Sequence, residues 1–305
     1  MVQHFHPEEN EKEKDNKNLP VKCVHCRSGN FIKEGFRKTQ KRGKIQKYLC
    51  LDCRKYFTAD LGFYRMRNSE GIISMSVDMY LSNLSSRKMK NQLTRHMMTK
   101  ISHVSVLDWV RKYVLKVQNY VDSLTPNIAG NCYADGTEIT RRKETDIFWA
   151  CVDWDTRFIN GIHYSTNQEV GEAAIFLKKC SKKKQPYYIQ TDAAIFYPKA
   201  FRKAFYSNRL HGLKVEHRVQ NTLKTRKYNV RIETVFSKIK DRVDDFRGLK
   251  ALWSAPILMA GIILQHNFIE KHSTTGKVPC ELAGLDLKTG VDRWLGLIRL
   301  ASSQN

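Results

Sequence analysis

No apolar run in this 305-residue chain approaches the roughly 20 residues that a membrane span requires. The longest, Ala255–Leu264, contains Pro256 and Gly261 and is expected to be a core helix, so no membrane partner is expected. The opening stretch, MVQHFHPEENEKEKDNK, has no apolar h-region, which argues against secretion. Acids are scarce as well: 30 Asp and Glu stand against 53 Lys and Arg, leaving a net charge of +23 and a pI near 9.7. An excess of that size points to a polyanionic partner. Regular disulfide spacing is also missing. Four of the eight cysteines form two CxxC pairs, and Cys132, Cys151, Cys180 and Cys280 are scattered through apolar or mixed segments. That distribution suits a reducing cytosol, with one metal site and several core thiols. Intrinsic disorder of the whole chain is excluded, because 41% of it is hydrophobic and 10% aromatic.

Five regions follow from composition and periodicity. Residues 1–20 are polar, mixed in charge and poor in aromatics, and are expected to be a disordered tail. Residues 21–62 carry Cys23 and Cys26, then Cys50 and Cys53. Two such knuckles, each offering two sulfurs on one side of a tetrahedron, match a small β zinc ribbon holding Zn²⁺. No strand–helix context favours a redox CxxC, and His25 is expected at the surface rather than on the metal. Between the knuckles Lys41, Arg42, Lys44 and further cations alternate with Phe31, Phe36 and Tyr48, a pattern that suits DNA phosphates or a solvated loop. Residues 68–124 turn to helical periodicity. Three short helices, the second capped by Ser85 or Ser86, suggest a helix-turn-helix although no glycine marks the turn. His103, Ser105 and Asp108 would then face bases and Arg111 and Lys112 phosphates, while Asp108 could instead cap the helix or pair with Arg111 or Lys112. SLTPNIAG makes the linker to residues 130–273, and residues 274–305 form a helical extension.

Within 130–273 the expected order is strand, strand, strand, helix, strand, helix, strand, helix. The strands are residues 131–140, 146–153, 158–165, 186–190 and 213–219. An α/β layer of this order should be an antiparallel meander with a parallel strand beside the first. Two acids interrupt the apolar strands: Asp135 in the middle of the first and Asp192 at the end of the fourth. A third, Glu233, lies beside the apolar stripe of a long helix expected over residues 228–250 and built on Ile232, Val235, Phe236, Ile239, Val243 and Phe246. At 100° per residue, Asn229 and Lys240 fall within about 40° of Glu233. By itself Glu233 is either a solvated helix acid or part of a polar site. If the first and fourth strands are neighbours, the three carboxylates meet, and their mutual repulsion would be relieved by an oxygen-ligated cation, Mg²⁺ or Mn²⁺. Two such ions form the clamp used in phosphodiester chemistry. Glu138 is expected on the opposite strand face, Asp153 and Asp155 at a turn, and Trp149, Trp154 and Trp253 in packing. His217 could contact DNA, Asn229 could orient Glu233 or start the helix, and Tyr197 belongs to the core. The Arg/His constellation of a tyrosine recombinase is missing.

The order of elements and the segments YADGTEI, YYIQTDAAIFYPKAF and NVRIETVFSKIKDRVDDFRGLK resemble the DDE transposases of prokaryotic insertion sequences. The resemblance covers nearly the whole chain, since several of these families carry a zinc ribbon and a helix-turn-helix as end-binding regions. It departs at Gly136, where many relatives carry Glu, and in a slightly long spacing between Asp192 and Glu233. It implies an α/β, RNase H-like mixed sheet flanked by helices. It also implies Asp135, Asp192 and Glu233 as the catalytic, magnesium-binding triad, with Lys240 as a DNA contact. The implied activity is metal-dependent cleavage and strand transfer of double-stranded DNA by a homodimer or higher assembly, in the nucleoid-associated cytoplasm of a prokaryotic cell. A nuclease without joining activity and a non-catalytic DNA-binding regulator are the alternatives.

Overall fold

Each CxxC knuckle closes on the same device: Arg27 and Arg54 take left-handed backbone conformations (φ 63° and 59°) and return their N–H groups to the carbonyls of Cys23 and Cys50 at 2.9 and 3.0 Å. The computed structural model describes residues 21–39, 43–59, 61–64, 66–220, 230–245 and 251–303. The expected N-terminal tail, Lys41, Arg42, Asn229 and Phe246 lie outside the described residues. Strands β1 (Phe31–Thr39), β2 (Gly43–Cys50) and β3 (Tyr56–Thr58) form an antiparallel sheet in that order. Phe31, Tyr48 and Phe57 pack ring to ring beneath Cys23 and Cys50, at centroid distances of 5.1 to 5.7 Å. So small a core gives this sheet little apolar support of its own.

Three serines start the next three helices. Ser69, Ser85 and Ser102 each accept a backbone N–H at the mouth of α1 (Glu70–Leu81), α2 (Ser86–Met97) and α3 (His103–Val121). The turn between α2 and α3, for which the sequence offers no glycine, is made by Met98 in the left-handed region at φ 50°. The inner face of α3 is buried along its length through Val106, Val110, Val114 and Val117. What buries it includes the far end of the chain: Leu264, Phe268, Val278, Trp294, Leu297 and Ile298 belong to the same apolar cluster. Polar contacts reinforce the join, with Ser74 Oγ donating to Asp292 at 2.6 Å and Arg299 pairing with Glu70 at 3.1 Å.

The second unit is the mixed sheet expected from the sequence. It contains β4 (Asn131–Arg141), β5 (Glu144–Asp153), β6 (Ile159–Ser165) and, after α4 (Val170–Cys180), β7 (Tyr188–Thr191). Then come α5 (Tyr197–Phe205), the two-residue strands β8 (Tyr206–Ser207) and β9 (Gly212–Leu213), and β10 (Glu216–Val219). The sheet order is β10-β7-β4-β5-β6, with β4, β5 and β6 antiparallel and β7 and β10 parallel to β4, an RNase H-like arrangement. Helices α6 (Val230–Asp245), α7 (Ala255–Leu264), α8 (Pro279–Leu282) and α9 (Arg293–Ser303) follow, with a π-helical turn at Gln265–Ile269.

Strand alternation decides which helix each side chain meets. Cys132, Ala134, Trp149 and Cys151 face α4 and α5, whereas Ile139, Phe148, Ala150 and Val152 face α6 and α7. Asp135 has the parity of Ile139 and so opens on the α6 side. The central strand β5 is buried from Asp146 to Asp153, as a strand covered on both faces should be. Asp153, expected at a turn, is fully buried there. Its carboxylate accepts the Gly130 N–H at 2.8 Å and both the N–H and hydroxyl of Thr156, tying the interdomain linker to the β5–β6 connection. Trp149 is core, but Trp253 is 62% exposed between α6 and α7, with the Arg111 guanidinium 4.9 Å above its ring. Among the described residues no helix is long and apolar enough to cross a membrane.

Candidate active site

β4 and β7 are parallel neighbours paired Cys132 with Ile189 and Tyr133 with Gln190. The same offset, carried two residues on, sets Asp192 level with Asp135. The acid on β4 is half-buried and accepts the N–H of Gly136 at 2.7 Å. Burial lifts its carboxyl to about 6. The Gly136 N–H works against the lift, the Asp192 and Glu233 carboxylates add to it, and the Lys240 ammonium opposes it. Asp192, Glu233 and Lys240 therefore each lie within electrostatic reach of Asp135. Gly136 leaves little room for any side chain, since a Cβ there would lie 3.1 Å from the Trp149 ring.

Asp192 is exposed just past the end of β7, where its carboxylate accepts the Ala194 N–H at 3.2 Å in an Asx-type turn. Behind it Thr191 donates its hydroxyl to the Asp192 carbonyl at 2.9 Å, and His217 Nε2 meets the same hydroxyl oxygen at 2.9 Å. With the hydroxyl proton committed to the carbonyl, the imidazole Nε2 must be the donor. The His217 ring lies flat on Phe201, 3.9 Å between centroids, and burial pushes its pKa down. It is thus a neutral support under the Asp192 turn. The sequence shows Thr191 only as a hydroxyl at a strand end, and its pairing with His217 depends on β10 lying beside β7. Tyr197, which opens α5, is fully buried against Trp149 and Phe196, and its hydroxyl has no hydrogen-bond partner among the described residues.

Glu233 lies in the first turn of α6 and Lys240 two turns later, both exposed, while Ile232, Val235, Phe236, Ile239 and Val243 bury the adjoining stripe on the sheet. The donor set at this end of the sheet is oxygen only, which fits Mg²⁺ or Mn²⁺ rather than zinc. Among the described residues the only group of three or more His, Cys, Asp or Glu whose ligand atoms all lie within 4.8 Å of one another is Cys23, Cys26, Cys50 and Cys53, so the three carboxylates are not drawn together as closely as the thiols.

Those sulfurs stand 3.6 Å apart for Cys23 and Cys53 and 3.5 Å for Cys26 and Cys50. A tetrahedral zinc with its bonds of ~2.3 Å wants an edge of about 3.8 Å, so the site fits the ion with little adjustment. For Cys23, burial raises the thiol pKa, but the N–H groups of Cys26 and His25 outweigh that and bring it to about 6. His25 stays out of the cluster, its Nε2 on the Tyr56 carbonyl at 3.3 Å.

The residues expected on DNA are more dispersed. Lys44 is exposed on β2. His103 and Ser105 are half-buried in the first turn of α3, where the Ser105 hydroxyl is engaged with Ser102 at 2.9 Å. Lys112 is exposed, and Arg111 pairs with Asp108 at 3.4 Å while covering Trp253.

Residues 133–272 match a family model described as a DDE domain. No curated protein matches the chain. Among solved structures the chain is similar to the HTLV-2 integrase catalytic core domain in complex with magnesium (dimeric form), at 16% identity over 52% of this chain and 98% of that one, with a TM-score of 0.38. It is also similar to a simian T-cell lymphotropic virus intasome in complex with PP2A regulatory subunit B56 gamma, at 13% identity over 63% and 67%, with a TM-score of 0.37.

Proposed function

We propose that this chain, whose residues 133–272 carry a DDE domain, is a transposase that binds the ends of its element, cuts DNA and joins the cut ends to a target. What supports the reading is that Asp192, Glu233 and Lys240 each act electrostatically on the half-buried Asp135, with all four inside the matched domain. Bound there, Mg²⁺ or Mn²⁺ would activate the attacking oxygen and stabilise the leaving one. Asp135, Asp192 and Glu233 hold the ions, the Thr191–His217 pair fixes the Asp192 turn, and Lys240 binds the DNA strand beside the acids. The four-cysteine ribbon holds zinc and presents the basic β1–β2 hairpin to the element end. Helices α2 and α3 form the helix-turn-helix, with the start of α3 toward the bases. Joining two ends requires both to be held together, so the active species is a dimer or larger.

Strand transfer decides between this reading and a nuclease. The full chain with Mg²⁺ and pre-cut element ends should give joined product, and Asp135→Asn, Asp192→Asn and Glu233→Gln should each abolish it while DNA binding persists. Hydrolysis without joined product would leave a nuclease. Unchanged activity in all three variants would overturn the site.

A further inference from the structure

A cavity of about 560 Å³ lies away from the carboxylates, where the ribbon meets the segment leading into α1. Val24, His25, Arg37, Lys47, Tyr56 and Tyr64 line it, and among the described residues no carboxylate does. The Tyr56 ring is held by its neighbours, Tyr64 follows an anchored segment, and both rings stay open to solvent. Tyr56, 53% exposed, donates its hydroxyl to Glu34 at 3.1 Å, and Lys47 Nζ stands 4.3 Å from its ring centre. Tyr64, 65% exposed, follows a segment fixed to the helical unit. Phe63 is fully buried against Tyr113, and the Tyr113 hydroxyl donates to the Gly62 carbonyl at 3.1 Å. Gly62 has φ +93°, and a Cβ there would come 2.3 Å from Ser302 Oγ, so only glycine lets the segment run this close to α9. The two rings therefore face the cavity from two separately anchored units.

A pocket walled by two solvent-open aromatic rings and rimmed by an Arg and a Lys selects a ligand with a flat π-face and a negative charge. A duplex offers its phosphates, but its base faces are covered by stacking. We propose that this cavity takes an unpaired nucleotide of DNA, the base stacked on Tyr64 and Tyr56 and its phosphate on Arg37 and Lys47. The proposal rests on the reading of the chain as a protein that acts on DNA ends. It adds that the ribbon holds a nucleotide displaced from the duplex there.

The test uses the full zinc-loaded chain, without magnesium, and a short single-stranded oligonucleotide carrying 2-aminopurine, against the duplex of the same sequence. Stacking should quench the 2-aminopurine. Tyr64→Ala should weaken single-strand binding about tenfold, and Tyr64→Phe should restore it. Arg37→Gln should flatten the salt dependence of the single-strand complex. Duplex binding should survive Tyr64→Ala, and unchanged zinc content confirms that the ribbon stays folded. Single-strand affinity unmoved by both Tyr64→Ala and Tyr56→Ala overturns the proposal, and so does an equal loss on duplex and single strand. Because no step needs the triad, absent strand transfer with intact quenching would strike the transposase reading alone, and the reverse result would strike the pocket alone.

Discussion

Asp135 and Asp192 stand at one level of two adjacent parallel strands, the first half-buried on the α6 side of the sheet and the second exposed at the strand's end. Ionising the half-buried Asp135 carries a cost, set first by its burial and then by the Asp192 and Glu233 carboxylates.

The first prediction concerns that cost. A carboxyl raised to about 6 in the folded chain binds its proton more tightly there than in the unfolded chain. Stability is therefore lost as pH rises from about 4 to about 6, and the loss is complete above that. In EDTA, Asp135→Asn should be about 1–3 kcal/mol more stable than the parent at pH 7.5, with the difference vanishing toward pH 4. Mg²⁺ should raise the parent's urea midpoint and move the variant's much less. Equal responses to Mg²⁺ would remove Asp135 from the metal site.

Thr191 gives a second test. Thr191→Val removes the hydroxyl that joins His217 Nε2 to the Asp192 carbonyl and leaves two polar groups partly buried without it. A loss of about 1–3 kcal/mol in stability is expected, together with weaker Mg²⁺ binding read from the urea midpoint.

In the ribbon, Cys50→Ser replaces one of four thiols whose sulfurs lie within 4.8 Å of one another. Metal analysis should find close to one zinc per chain in the parent and none in the variant, with the β1–β2 amide signals collapsing. A parent without zinc would reject the ribbon.

Asp153 accepts three donors in a fully buried position. Asp153→Ala strands the Gly130 and Thr156 N–H groups and should cost about 3 kcal/mol or more by urea unfolding, with little direct effect on metal binding.

Trp294 tests the join between the chain's two ends. It is 1% exposed, donates its indole N–H to Gln265 at 2.6 Å and shares a core with α1 and α3. Trp294→Ala should cost about 3–5 kcal/mol and loosen α1 to α3, seen as faster amide exchange there.

Periodicity and spacing are local properties, and the sequence by itself determined what depends on them. The two cysteine pairs, the serine caps, the β4–β5–β6 meander, the α4 and α5 helices and the apolar stripe of α6 could all be read from side-chain alternation and short motifs. So could the position of Asp135 inside a strand and Asp192 at the end of one. Tertiary structure alone decided which of these elements touch. Phe268, Trp294 and Ile298 complete the core under α3, although the sequence presents residues 274–305 as a separate extension. His217 stacks on Phe201 under the Asp192 turn, Arg111 covers Trp253, and Asp153 goes inward to tie the linker down. Such partners lie tens to hundreds of residues apart along the chain, and no local pattern encodes them. They exist because burying the two faces of the sheet and the inner face of α3 forces distant segments together, and each polar group caught in those contacts must find its partner there.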